Sequence, residues 1–204
     1  MSKSIMDSGV SKTGKKSIPL RRFYISSTLA FFVPLFLGLI IGFYDRSFGE
    51  YAFNTSYGNL SFIKNLSSFE LFLFIFVRNS LIGLLLVVSG LIIGLPTLFI
   101  LVSNGLVIGA IMGWISSIYG VKVVLSGIIP HGVFEVPAVI IAGAYGLMVG
   151  ASMMSRIRKK KEVLISDSLI EAIKVYFNRV LPLFLIAAII ESYVTPLIVF
   201  SVIK

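Results

Sequence analysis

The feature that most constrains this chain is a set of apolar runs long enough to cross a lipid bilayer. A spanning helix needs about 20 mostly apolar residues. Runs of that kind cover 23–44, 70–94, 97–118 and 181–203, and a further run of 28 residues extends from Val123 to Gly150. Secretory signals have a shorter apolar core of about 7–15 residues and a small-residue cleavage site. The first run is longer and ends in GFYDR, which reads as an uncleaved span. The 28-residue run is too long for one straight crossing, and Pro130-His131-Gly132 interrupts it. The expectation there is a short re-entrant or interfacial segment, then a fourth span over 131–153. The predicted fold class is an all-α polytopic membrane bundle of five helices. A basic tail, 1–22, precedes a single membrane domain, 23–204. Composition agrees: 13 % of residues are charged and 57 % are apolar or aromatic. A soluble domain carries about 25 % charged residues. Soluble globular enzymes and disordered chains are excluded.

The basic residues orient the spans. Six lie in the tail: Lys3, Lys12, Lys15, Lys16, Arg21 and Arg22. Seven lie in the segment 154–180: Arg156, Arg158, Lys159, Lys160, Lys161, Lys174 and Arg179. The opposite side has Arg46, Lys64, Lys122 and Lys204, a split of 13 against 4. The positive-inside rule then predicts a cytoplasmic N-terminus and an extracytoplasmic C-terminus in a cell membrane. The net charge of +9 therefore reads as membrane topology, with no nucleic-acid partner. The run Arg156–Lys161 is expected to meet anionic lipid head groups. The outer loop, 45–69, carries three N-x-S sequons, at Asn54, Asn59 and Asn65. Sequons are used on the extracytoplasmic side, so these are candidate glycosylation sites. Phe48, Tyr51, Phe53, Tyr57 and Phe62 in the same loop are expected along the interface or packed on the bundle. Before the last span, Ile165, Leu169, Ile173, Tyr176 and Val180 recur at helical spacing. They predict a cytoplasmic amphipathic helix, lying flat on the inner surface or forming a hairpin packed on the bundle.

Small residues recur every fourth position: Gly105, Gly109 and Gly113 in the third span, and Ala138, Ala142, Gly146 and Gly150 in the fourth. Such stripes let helix backbones approach closely. They serve packing inside one subunit, association of two copies as a homo-oligomer, or one of each.

Few side chains are out of place in lipid: Arg78, Asn79, Asn104, His131, Glu135 and Glu191. Polar groups at such depth are costly and face the bundle interior by default. Arg78 lies about 12 Å from the outer end of its span and Glu191 about 17 Å, at 1.5 Å per residue. His131 and Glu135 are four apart and share a helix face. All six are therefore candidates for one polar cluster in the outer half. Three readings stand. The cluster is structural, with Arg78 neutralising a carboxylate. It lines a proton or ion path. Or His131, Glu135 and Glu191 hold a metal that activates water. The last is the weakest, because HExxH is absent. No G-x-S-x-G and no P-loop lysine motif is present, so no catalytic residue and no cofactor is assigned. The chain has no cysteine, which excludes disulfides, thiolate catalysis and zinc–thiolate sites.

Three segments together resemble a known family: FVRNSLIGLLLVVSGLIIGLPTLFILVSNGLVIGAIMG, IIPHGVFEVPAVIIAGAYGLMVG and AAIIESYVTP. The PHGxxExPA element and the later E-x-x-x-T-P element resemble the stage II sporulation protein M family, over about Phe76 to Pro196. The resemblance implies a five-span protein whose recurring polar positions match Arg78, Asn79, Asn104, His131, Glu135 and Glu191. In spore-forming bacteria it implies a membrane component of a complex that remodels septal peptidoglycan, with partners that carry the cutting activity. Similar proteins occur in organisms that make no spores, archaea included. The functional expectation is a non-enzymatic membrane scaffold with envelope-associated protein partners. A small channel or transporter using the polar cluster is the alternative, and an intramembrane metal-dependent hydrolase the third. A pore needs a polar route from both faces, and the inner halves of the spans offer almost none.

Overall fold

The computed structural model describes residues 19–57, 65–158 and 165–204. The described residues form helices and no strand. Five helices are long and apolar enough to cross a membrane. Helix α1 is Leu20–Tyr44, α2 is Arg46–Tyr57, α3 is Ser68–Val88, α4 is Leu95–Tyr119 and α5 is Val121–Ile157. The chain ends in α6, Ile165–Val175, then α7, Leu181–Ile189, and α8, Thr195–Ile203, joined through two π-helical turns, Tyr176–Val180 and Ile190–Val194. The bundle has a basic end, where α1 begins and Arg156 and Arg158 lie, and a loop end capped by α2.

Local chemistry sets the helix ends. Ser67 and Glu70 form a capping box at the start of α3: the Ser67 hydroxyl accepts from the Glu70 N–H, and the Glu70 carboxylate accepts from the Ser67 N–H. Each bond satisfies a donor that the first helical turn leaves over. At the other end of α3, Thr97 donates to the Leu86 carbonyl and also bonds Ser89. The turn into α4 is tight: Ile93 has φ 59° and Gly94 φ 77°. Glycine accepts that backbone freely, whereas β-branched Ile93 is strained there. Pro96 follows inside the first turn of α4, where its missing N–H costs nothing. The Asp45 carboxylate caps α2, accepting from the Ser47 hydroxyl and the N–H groups of Ser47 and Phe48. These bonds, led by the Ser47 hydroxyl, hold its carboxyl below the usual range.

One expectation about continuity is corrected. Residues 123–150 do not split into a re-entrant segment and a span that begins at 131. They lie in one helix of 37 residues, about 55 Å long at 1.5 Å per residue. Pro130 and Pro137 sit inside it. Each removes one N–H, so the carbonyls of Ser126 and Val133 lose their helical partners. Spanning helices tolerate such losses because neighbouring groups and small adjustments re-satisfy the backbone. The amphipathic segment forms ahead of the last span and packs on the bundle. It runs through the first π turn into the last span, giving a helix from 165 to 202. Ser168 and Ala172 are buried, and the Ser168 hydroxyl bonds Ser152 of α5 at 2.8 Å.

The small-residue stripes are used within the chain. A methyl group on Gly105, Gly109 or Gly113 of α4 would overlap the carbonyls of Phe31, Leu35 and Leu39 of α1. One on Gly38 or Gly42 of α1 would overlap the backbone of Leu106 or Ala110. On α5, Gly146 abuts the Leu86 carbonyl and Gly150 abuts Gly94, while Ala138 and Ala142 are fully buried. Backbone-to-backbone contact of this kind gains dispersion over many atoms, the main attraction open to helices in lipid. Neither stripe is left as a surface for a second copy. Phe31, Leu86, Leu101, Tyr145, Val149, Val180 and Phe184 fill the core between these contacts.

A histidine–carboxylate cluster in a blind chamber

α5 supplies the first two groups of the site. His131 and Glu135 are one turn apart, and His131 Nε2 lies 3.9 Å from a Glu135 carboxylate oxygen. The third group comes from the last span. Glu191 sits in the π turn Ile190–Val194. A π turn adds a residue to the helical register and so rotates the side chains within it; such turns occur often at functional sites. Glu191 meets His131 Nε2 at 4.0 Å. Ser192 in the same turn donates its hydroxyl to the Ala188 carbonyl at 2.7 Å, satisfying backbone that the turn loosens. One ligand atom from each of His131, Glu135 and Glu191 lies within 4.8 Å of the others. Arg78 on α3 is close enough to act electrostatically on both carboxylates.

The cluster faces a chamber of about 620 Å³ in the loop-end half of the bundle. Its walls are apolar, with Phe53, Phe74, Ile108, Ile115, Val199 and Phe200 among them, and Thr195 adds a hydroxyl. Phe53 reaches the chamber from α2, where its ring packs on Trp114 with centroids 5.8 Å apart. Toward the basic end the bundle is closed. Leu86, Val87, Leu101, Ala142, Val149 and Phe184 are all 0 % exposed. The chamber is therefore blind on that side. Its form is the usual one for a binding site: an apolar concavity with a few convergent polar groups.

The six polar residues expected in one cluster divide. His131, Glu135 and Glu191 line the chamber, with Arg78 within electrostatic reach. Asn104 donates its amide to the Ile100 carbonyl one turn back on its own helix. Asn79 is buried in α3, 5 % exposed. Neither asparagine lines the chamber. Of the sequons, Asn54 is exposed on α2 and Asn65 is exposed ahead of α3, while Asn59 lies outside the described residues. Of the loop aromatics, Tyr51 is exposed and Phe62 lies outside the described residues. Lys159, Lys160 and Lys161 also lie outside the described residues. Sequence reasoning missed the π turn and the chamber itself. The signal for the turn was Thr195-Pro196, since Pro196 supplies no N–H to the helix that carries Glu191.

A family model for stage II sporulation protein M matches residues 27–196. The chain is 29 % identical over 173 residues to an uncharacterized protein of Methanocaldococcus jannaschii, an alignment covering 80 % of this chain and 94 % of that one. No solved structure matches the chain. The family match runs from α1 through Thr195-Pro196 and takes in Arg78, His131, Glu135 and Glu191 together, so the chain belongs to the stage II sporulation protein M family.

Proposed function

We propose that the protein is a non-enzymatic membrane scaffold, an assembly component of the cell envelope. The observation that supports this over a channel is the closed half of the bundle. A proton or ion path needs polar groups from face to face, and the side-chain hydroxyls in the buried layer around Leu86, Leu101 and Phe184, those of Ser27, Thr97 and Tyr176, are each spent on a backbone carbonyl. Partners in this reading are envelope-associated proteins docking at the loop end and further copies of the chain. Self-association would use the outward apolar faces, for example Leu29, Val33, Phe36 and Ile40 of α1. Purified protein reconstituted in vesicles is expected to pass protons and potassium no faster than empty vesicles, measured with entrapped pH and potassium dyes. Flux that disappears in Glu191→Gln would overturn the scaffold reading in favour of the channel.

In the same reading the N-terminus is cytoplasmic, the C-terminus is outside, glycans on Asn54, Asn59 and Asn65 face outward, and Arg156–Lys161 touches anionic lipid. The 13 to 4 basic asymmetry supports that orientation. The chain has no cysteine, so single cysteines report without background. With Ser56→Cys, a membrane-impermeant thiol reagent should label intact cells. With Ser155→Cys it should label only after permeabilisation. The reverse pattern sinks the orientation.

A further inference from the structure

We propose that His131, Glu135 and Glu191 hold one first-row divalent transition-metal ion of the zinc class, with a coordination position open to the chamber. This goes beyond the scaffold reading and stands independently of it. The geometry is close to a ligand set. His131 Nε2 is 3.9 Å from one carboxylate and 4.0 Å from the other. Zinc bonds of about 2.0–2.2 Å place tetrahedral ligands roughly 3.3–3.6 Å apart. Closing on the ion takes about half an ångström for each histidine–carboxylate pair and up to about 1.5 Å for the widest ligand pair, within reach of side-chain rotation. One imidazole with two carboxylates suits zinc, iron or manganese, whereas magnesium and calcium prefer oxygen alone.

Three further observations converge on these residues. The helices lose regular backbone hydrogen bonds where they carry the ligands: Pro130 and Pro137, which supply no N–H, bracket His131 and Glu135 within the continuous α5, and Glu191 lies in a π turn. Thr195 Oγ1, buried at the chamber, has no hydrogen-bond partner among the described residues. Buried polar atoms without partners are rare in native proteins, and an ion or water is one standard explanation. Finally, two carboxylates this close in an apolar chamber repel each other, and the single charge of Arg78 offsets half of theirs. A dication together with Arg78 leaves one positive charge over. The open position therefore favours an anionic ligand: hydroxide, or a carboxylate or phosphate group entering the chamber.

The chain has one histidine and no cysteine, so a histidine-bound metal reports on His131 alone. The full chain, purified in detergent with a histidine-free tag and stripped with EDTA, is titrated with Co²⁺ and followed by its visible d–d bands. One equivalent is expected to bind, and Zn²⁺ is expected to displace it while Mg²⁺ does not. His131→Gln and Glu191→Gln should each weaken Co²⁺ binding by more than the roughly 10–100-fold that loss of a hydrogen bond to a ligand costs. Asp45→Asn, far from the cluster, should bind as wild type does. If a variant fails to fold, the wild type decides: its thermal midpoint must rise with Zn²⁺ and fall with EDTA. No d–d bands from wild type at millimolar Co²⁺, a midpoint indifferent to Zn²⁺, or unchanged affinity in His131→Gln would each overturn the site.

Discussion

Replacing Gly109 with alanine is expected to destabilise the bundle by about 1–3 kcal/mol or more and to reduce folded yield sharply. The direction is not obvious from helix propensity, which favours alanine over glycine by about 1 kcal/mol. The tertiary contact decides it. A methyl group at Gly109 overlaps the carbonyl of Leu35, and the backbone at Leu39 is close behind. The obstacle is main chain, not the end of a flexible side chain, so α1 and α4 must separate. Separation also breaks the neighbouring contacts at Gly105, Gly113, Gly38 and Gly42. The control is the same substitution at Gly127 of α5, where the nearest atom to the new methyl is a Val199 methyl at 3.8 Å. There propensity prevails, and Gly127→Ala should be neutral or slightly stabilising. Thermal scans by fluorescence-detected gel filtration compare the two. Equal behaviour of Gly109→Ala and Gly127→Ala would remove the close α1–α4 contact from the account.

The second large effect is expected at Arg78. In the presence of a chelator, Arg78→Leu should lower stability by less than the roughly 3–5 kcal/mol that removing one side of a fully buried charge pair costs, because Arg78, Glu135 and Glu191 are half-buried. Arg78 acts electrostatically on both Glu135 and Glu191, and those short side chains cannot extend to the membrane surface from mid-depth. Without the guanidinium, two carboxylates share a low-dielectric chamber with a histidine. The pairs Arg78→Leu with Glu135→Gln, or with Glu191→Gln, should recover part of the loss, because removing both sides costs less than stranding one. Added Zn²⁺ should rescue Arg78→Leu as well, since the dication supplies the missing positive charge. The readout is the fraction folded after detergent extraction together with the thermal midpoint. The pairing idea fails if Arg78→Leu is as stable as wild type under chelation, or if neither double variant improves on it.

Much of the architecture was legible along the chain. Hydropathy and length identified five spans, and the cost of polar side chains in lipid selected His131, Glu135, Glu191 and Arg78. The same reasoning also selected Asn79 and Asn104, which do not line the chamber. An asparagine in a spanning helix can satisfy its own amide on a carbonyl one turn back, as Asn104 does with Ile100. It then needs no partner in a cluster. Proline was overread. Pro130 suggested an interruption, yet α5 continues through it, because a membrane helix has no water to reward an open backbone.

What the sequence determined by itself follows from solvent: which segments enter the bilayer and which side chains lipid excludes. These are properties of single residues and short windows, summed over length, and they need no neighbour to be read. The tertiary structure alone decided which excluded side chains meet. The register of α5 against the last span, shifted by the π turn at Ile190–Val194, brings Glu191 to His131. It also decided where the glycine stripes go, since a stripe permits contact equally with α1 or with another copy. The contacts of Gly109 with Leu35 and of Gly146 with Leu86 settle that choice within the chain. Register and partner choice depend on atoms far apart in sequence, and no local pattern encodes a distance between two helices.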